Sequence, residues 1–303
     1  MQIEKITVFT PTYNRCYIID KLYKSLLAQT DKRFEWLVVD DGSSDGTREY
    51  FDGIADSDSG FPIRYYYKEN GGKHRAINFG LPLATGELFF IVDSDDTLQS
   101  DAISNLLKWT TTLDDSHKWA GVSGLKGYSD SHPIGLWKTD VSGYVDARCN
   151  QRYKYKLMGD KSEAYLTEVL RKYPFPEFEG EKFVVEDTVW NRIASDGYYL
   201  RWFNEIIYIC DYLDDGLSHH FFQLLHDNPK GTGAWLKVQQ MAFPKLSRGY
   251  LMTVRTYFRV FSDSKSDREM ARELAVPAIV IYALRSIIWL KRKIYAVSHR
   301  SRV

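Results

Sequence analysis

LFFIVDSDD, residues 88–96, is a run of five apolar residues closed by four polar ones. The apolar part reads as a short strand buried on both faces, and Asp93-Ser94-Asp95-Asp96 ends it abruptly. The same pattern recurs upstream. Ile6-Thr7-Val8-Phe9 is an apolar strand stopped by Pro11, and Trp36-Leu37-Val38-Val39 runs into Asp40-Asp41-Gly42-Ser43-Ser44-Asp45-Gly46. Ile63, Tyr65 and Tyr67 alternate before Asn70-Gly71-Gly72. Between these strands, Ile18, Ile19, Leu22, Tyr23, Leu26 and Leu27 fall at helical spacing, a short helix is read over 47–51, and Ala76, Ile77, Leu81 and Ala84 mark another. Strands separated by helices predict an α/β fold, a Rossmann-like, mostly parallel sheet flanked by helices. The polar clusters fall at the C-terminal ends of strands, where open sheets of this class bind ligands. No GxGxxG follows any strand, which argues against a dinucleotide site.

From about residue 110 the texture changes. Trp119 to Leu125 and Ile134 to Trp137 read as strands, Ser162 to Lys172 as a helix, and Tyr199 to Cys210 as a further strand. A loop rich in Pro and Glu (174–181) leads to Glu186-Asp187-Thr188-Val189-Trp190, read as a helix start. Beyond Gly216 the pattern is helical, with breaks near Pro244 and Pro277.

Composition narrows the function classes. The 303 residues hold 40 basic and 40 acidic side chains, so no global field draws the chain to nucleic acid. Cys16, Cys149 and Cys210 are odd in number and widely spaced, which excludes a disulfide scaffold and suits a reducing compartment. The N-terminus has no apolar segment of signal-peptide length, and no uncharged apolar run reaches the roughly 20 residues of a spanning helix. A cytoplasmic protein is expected, peripheral on the inner face of a membrane at most.

Several segments carry possible chemistry. Carboxylates two residues apart, just past a buried strand, can reach one hard divalent cation that bridges them to a pyrophosphate; a solvated acidic turn is the plain alternative. A calcium loop fits poorly, since Leu98 would stand where glycine is needed and Ser104 where the final Glu is needed. A carboxylate in Asp40 to Thr47 can accept from a nucleobase or ribose, or the segment is only a turn capping the next helix through Ser44 or Asp45. In Pro11-Thr12-Tyr13-Asn14-Arg15 the ring of Tyr13 can lie against a base. Asn70-Gly71-Gly72-Lys73-His74-Arg75 joins a flexible backbone to three side chains able to carry positive charge, suited to a diphosphate or simply to starting a helix. Glu186-Asp187 could merely complement a helix dipole. His219-His220 offers a metal ligand, a phosphate contact or plain surface.

Taken in order, PTYNR (11–15), VVDDGSSDGT (38–47), NGGKHRAINFG (70–80), VDSDD (92–96) and EDTVW (186–190) resemble the family 2 glycosyltransferases, which have the GT-A fold. The resemblance covers roughly residues 1–215. It implies a nucleotide-sugar-binding half at 1–110, an acceptor-binding half of the same domain at 111–215, and a helical C-terminal extension at 216–303. Pro11, Thr12, Tyr13 and Asp41 would line the base pocket, Lys73 would contact the diphosphate, Asp93 would approach ribose and metal, and Asp95 would bind the metal, Mn2+ or Mg2+. Asp187 would be the general base of an inverting displacement. The expected donor is a UDP-sugar and the expected acceptor a glycan or lipid-linked molecule in cell-surface polysaccharide or glycolipid synthesis. No QxxRW motif is present, which points to single additions. No third metal ligand stands out, and Glu186, Asp96, His219 and His220 receive no defined role.

Two rival readings exist. Asp93 and Asp95 after an apolar strand also resemble the nucleophile and acid/base of a haloacid-dehalogenase-type phosphatase, with Gly159-Asp160 as its later motif. That motif normally opens its sheet, whereas three strands precede it here. The other rival is a non-catalytic nucleotide-sugar-binding subunit. Finally, the apolar run from Val276 to Leu290, followed by Lys291, Arg292, Lys293, Arg300 and Arg302, suits a bilayer interface through 276–303, helix packing on the domain, or a homodimer contact.

Overall fold

The computed structural model describes residues 2–137, 143–211, 216 and 219–287. The first half alternates β1 (Ile6–Thr12), α1 (Ile19–Leu27), β2 (Phe34–Asp40), α2 (Thr47–Ile54), β3 (Ile63–Tyr67), α3 (Lys73–Gly80), β4 (Leu88–Ile91), β5 (Thr97–Leu98) and α4 (Ala102–Thr110). Then come β6 (Trp119–Ser129), the short strands β7 (His132–Pro133), β8 (Leu136–Trp137), β9 (Tyr144–Ala147) and β10 (Leu157–Met158), β11 (Lys161–Leu166), α5 (Thr167–Leu170), α6 (Asp187–Ser195) and β12 (Tyr199–Ile209). Helices α7 (Phe221–Asp227), α8 (Pro229–Ala242), α9 (Arg248–Phe261) and α10 (Asp267–Glu273) follow.

The main sheet has the order β3-β2-β1-β4-β11-β6-β12-β5, with β7 on β6 and β9 on β12. β3, β2, β1 and β4 run parallel, and β11 is antiparallel to both β4 and β6. The sheet is therefore mixed, parallel only in its N-terminal half and again between β6 and β12. β11 corrects the helix expected over Ser162 to Lys172, of which only the four-residue α5 is helical. Tyr165/Val169 and Leu166/Leu170 are spaced as on a helix. β11, however, lies inside the sheet with nearly every residue buried, so no period-two alternation marks it. Pro82 follows α3 and converts its expected continuation to a single 3-10 turn, Leu81–Leu83.

Register decides where chemistry can occur. Thr12 lies opposite Asp40, Asp40 opposite Tyr67, and Phe9 opposite Ile91. The loops after the parallel strands therefore meet at one edge. β1 and β2 are buried throughout, and Phe9 stacks on Phe89 with centroids 4.9 Å apart. Each such side chain contributes about 1.5–3 kcal/mol by burial, which holds that edge rigid.

The C-terminal helices form a second apolar core around Trp235, Leu236, Tyr250, Tyr257, Phe258 and Phe261. It is bound to the first domain at the start of α8. The Glu181 carboxylate accepts from the backbone N–H groups of Lys230 and Gly231, both at 2.8 Å, and Asn228 Oδ1 accepts from those of Lys182 and Phe183. An anion on a helix N-terminus is the favoured arrangement. Residues 278–287 are helical, and Ile281 is buried among these helices; the basic end, 288–303, lies outside the described residues. Among the described residues no helix is long and apolar enough to cross a membrane.

Candidate active site

The loops after β1 and β2 are laced together. Asn14, held at φ 51°, accepts from the Ser44 N–H at 2.9 Å and donates its own N–H to Ser43 Oγ at 2.8 Å. The Asp45 carboxylate accepts from the Cys16 N–H and from the N–H and hydroxyl of Thr47, the first residue of α2; the N-cap is Gly46, which has no side chain, rather than the Ser44 or Asp45 expected to cap the helix. Pro11 and Thr12 are buried, and the Thr12 hydroxyl has no hydrogen-bond partner among the described residues. Tyr13 is 49% exposed, an aromatic ring available at the strand end.

Asp41 is buried, and both its oxygens are engaged. Oδ1 accepts from Lys68 Nζ at 2.6 Å and the Gly71 N–H at 2.9 Å; Oδ2 accepts from the Gly72 N–H at 2.6 Å and Asn70 Nδ2 at 3.2 Å. A carboxylate offers about four acceptor positions, so a ligand N–H reaching Asp41 must displace one of these donors. Asp41 thereby fixes the turn that starts α3. Gly72 is demanded there, because its φ is +95° and an added Cβ would stand 1.8 Å from the Lys182 carbonyl oxygen.

From that turn Lys73 reaches inward. Its ammonium lies 2.5 Å from Asp93 Oδ1 and 2.8 Å from Glu186 Oε1, which joins the end of β4 to the start of α6. Burial works against this ammonium, but Asp93 and then Glu186 outweigh it and hold its pKa above the ordinary lysine value. Of the three side chains thought able to carry charge here, only Lys73 meets this site. His74 is 3% exposed, and its pKa is pushed down to about 4 by burial and then by Arg75. Arg75 turns to the Phe178 carbonyl at 2.6 Å and to Glu177.

The DSDD turn is anchored by a residue not singled out in the sequence. The buried Tyr208 hydroxyl accepts from the Asp93 N–H at 2.9 Å and donates to Asp96 Oδ2 at 2.6 Å, while Asp96 Oδ1 accepts from the Asp211 N–H. Lys126 lies over the Tyr208 ring, 4.0 Å from its centroid. Burial alone would raise Asp93, but Lys73 and then Lys126 hold it below the usual carboxylate range. Asp95 is raised by burial and then by Asp93, and Asp96 is pushed up to about 7 by the same two causes. Asp96 is thus committed to the β12 anchor.

Asp187 opens α6, and its pKa is raised by burial against the opposing charge of Arg152. Arg152 is 3.8 Å from Glu163, whose carboxyl burial pushes up to about 7. These two and Lys126 were missed in the sequence. For Glu163 and Lys126 the available signal is a charge inside an apolar strand, SEAYL (162–166) and GLKGYS (124–129); Arg152 stands in a polar turn and leaves no such mark.

Two hard oxygen donors whose mutual repulsion a dication would relieve fit Mn2+ or Mg2+ at Asp93 and Asp95. Among the described residues no group of three or more His, Cys, Asp or Glu is placed to hold a metal ion. His219 and His220 are exposed.

Comparison with known proteins bears on the family and the fold. Residues 7–122 match the model for "Glycosyl transferase family 2". Over 105 residues the chain is 40% identical to an uncharacterized glycosyltransferase of Rickettsia conorii, covering 35% of this chain and 17% of that protein. Over 106 residues it is 36% identical to the GalNAc(5)-diNAcBac-PP-undecaprenol beta-1,3-glucosyltransferase of Campylobacter jejuni, covering 34% of each. The chain thus matches 17% and 34% of the length of these relatives. In structure it is similar to S. aureus TarS in complex with UDP-GlcNAc, with TM-score 0.59 and 17% identity over 93% of this chain and 87% of that one. It is also similar to the mannosyltransferase PcManGT of Pyrobaculum calidifontis in complex with GDP-Man and Mn2+, with TM-score 0.55 and 19% identity over 96% and 81%. The expected family resemblance and the GT-A type of fold, with helices at the C-terminal end, are borne out. The phosphatase reading finds no such support, since β4 is the fourth strand of the chain rather than the first.

Proposed function

From residues 7–122 as a family 2 glycosyltransferase domain, we propose that the chain moves a sugar from a UDP-sugar to an acceptor hydroxyl with inversion, using Mn2+ or Mg2+. The observation that carries this reading is the Lys73 ammonium between Asp93 and Glu186. It brings a cation, the acidic strand end and the helix that opens with Asp187 to one point.

Residues 1–110 form the donor side in this reading, 111–215 the acceptor side, and 216–303 the extension that braces it. Tyr13 stacks on the base, with Pro11 and Thr12 as the floor beneath it. Asp41 holds the pocket's turn and exchanges one of its four donors for the nucleotide. Lys73 turns from its carboxylates to the diphosphate, where its charge opposes that of the leaving group. Asp93 and Asp95 would hold the metal, and a dication bound there would supply neutralising charge for that leaving group. Asp187 takes the acceptor proton as attack begins. The C. jejuni relative's name supports a lipid-linked acceptor, and cell-surface glycan or glycolipid synthesis is the role that follows.

Asp187→Asn tests this. UDP-sugar binding should persist while transfer, read as slow donor hydrolysis until an acceptor is found, falls by about 10²–10⁴. The base must be deprotonated and its pKa is raised, so the wild-type rate should decline with acidity at a pH above the ordinary aspartate range. Unchanged turnover in the variant excludes Asp187 as the base; loss of donor binding moves it to the donor side.

A further inference from the structure

The helical extension carries a surface that the transfer reaction does not use. The inward stripe of α9, including Tyr250, Val254, Tyr257, Phe258 and Phe261, is buried in the second core. Its outward stripe is Arg248, Leu251, Met252, Arg255 and Arg259, spaced as one helix face and exposed throughout. The turn leading into α9 adds Lys245 and Leu246, and the end of α8 adds Met241. Met241 is 81% exposed, Leu246 79%, Met252 55% and Leu251 50%. Leu246 sits in the left-handed region at φ 66°, unfavourable for an L side chain, and its isobutyl group stands out at the tip of the turn.

The charge along this stretch of chain has one sign. From Asn228 to Ser262 there are six basic residues and no Asp or Glu, in a chain with 40 of each sign overall. Among the described residues no ion pair engages Lys245, Arg248, Arg255 or Arg259. A protein-binding patch is enriched in aromatic anchors, Met and Arg and depleted of Lys; this face shares the Met and Arg but has no aromatic residue among its outward positions. Here aliphatic and basic side chains interleave along one face, so apolar groups can enter an acyl boundary while the long basic stems reach back to headgroups.

We propose that the outward face of α9, with the turn at 244–247, docks on an anionic phospholipid bilayer. This surface is separate from the 276–303 segment considered in the sequence. The patch end of α8 meets the turn that carries Arg152, the charge opposing burial at Asp187: Asn150 Nδ2 donates to the Ala242 carbonyl at 3.3 Å, and Tyr153 lies against Phe243. A docked extension therefore holds the Asp187 side of the site near the bilayer. That consequence rests on the proposed transfer, whereas the docking itself is measured without turnover.

The experiment is vesicle flotation of the full chain, with phosphatidylcholine alone and with added phosphatidylglycerol. The wild type should float with the anionic vesicles only, and high salt should release it. Arg248→Glu/Arg255→Glu and, separately, Leu246→Ser/Met252→Ser should each lower the bound fraction by about tenfold or more, while UDP binding stays at the wild-type level. The proposal is overturned if the wild type does not float, or if both variants float as it does. It is equally overturned if this face proves to join two copies, seen as a wild-type dimer that Arg248→Glu/Arg255→Glu makes monomeric and that ignores vesicles. Normal flotation together with failure of every variant and the wild type to bind UDP supports docking and refutes the active-site reading instead.

Discussion

Unfolding the wild type and His74→Leu side by side across acidic pH isolates one buried imidazole beside the candidate site. His74 is the second residue of α3, and neither ring nitrogen has a hydrogen-bond partner among the described residues. Burial is the main cause of its low pKa, with Arg75 and Lys68 adding to it and Glu177 and Asp41 opposing. In the unfolded chain the ring takes up a proton as pH falls through 6.5; in the folded protein it does so only near 4. Between these values the unfolded chain binds more protons, so stability falls with pH and the full loss is reached below about 4. The gap corresponds to about 3 kcal/mol. Glu163 and Asp96, both pushed up to about 7, work in the opposite sense, because the folded state binds their protons first. Wild type alone would blur the two effects, whereas the difference between the proteins cancels the carboxyls. Leucine brings no polar atom to a site that offers the ring no partner, so near neutrality the variant should be as stable as wild type or more so. Towards pH 4 its advantage should grow by about 3 kcal/mol in urea unfolding. Parallel stability curves for the two proteins would sink the argument.

Two further substitutions probe the frame of the site. Gly72→Ala forces a Cβ against the Lys182 carbonyl at a positive φ and should cost more than the about 1–3 kcal/mol of the strained φ alone, with UDP binding lost before the fold; wild-type UDP affinity would show that the α3 turn is not part of the donor site. Tyr208→Phe removes one hydroxyl that serves both the Asp93 N–H and the Asp96 carboxylate, a stability cost of about 1–3 kcal/mol. Its metal-linked UDP binding should weaken more than its metal-free binding, and an equal loss in both would reduce Tyr208 to a core residue.

How much the sequence disclosed follows from what each feature depends on. β1, β2, β4 and α1 are legible because their apolar runs are local and their length is set by burial. Asp93 and Asp95 are legible as a strand-end cluster for the same reason. β11 reads as a helix in the sequence because a central strand with both faces covered has no alternation, and its Tyr and Leu spacing imitates a helix turn. Asp41 reads as an open acceptor in the sequence, since the backbone N–H groups of Gly71 and Gly72 that occupy it leave no mark on residue type. Lys73, Asp93 and Glu186 were each visible, but only tertiary packing brings positions so far apart in the chain to within 3 Å of one ammonium. Tyr208 is hidden in an apolar strand, where a tyrosine reads as packing until its hydroxyl has partners.

Calorimetric titration of a UDP-sugar with and without Mn2+, on wild type and Asp95→Ala, tests the central claim most directly. Asp95 is raised by burial and by Asp93, so its removal relieves repulsion and the unliganded variant should melt no lower than wild type. The account predicts that Mn2+ strengthens UDP-sugar binding by the wild type and that Asp95→Ala loses this metal-linked part. Binding that is independent of Mn2+ and equal in the two proteins would contradict it.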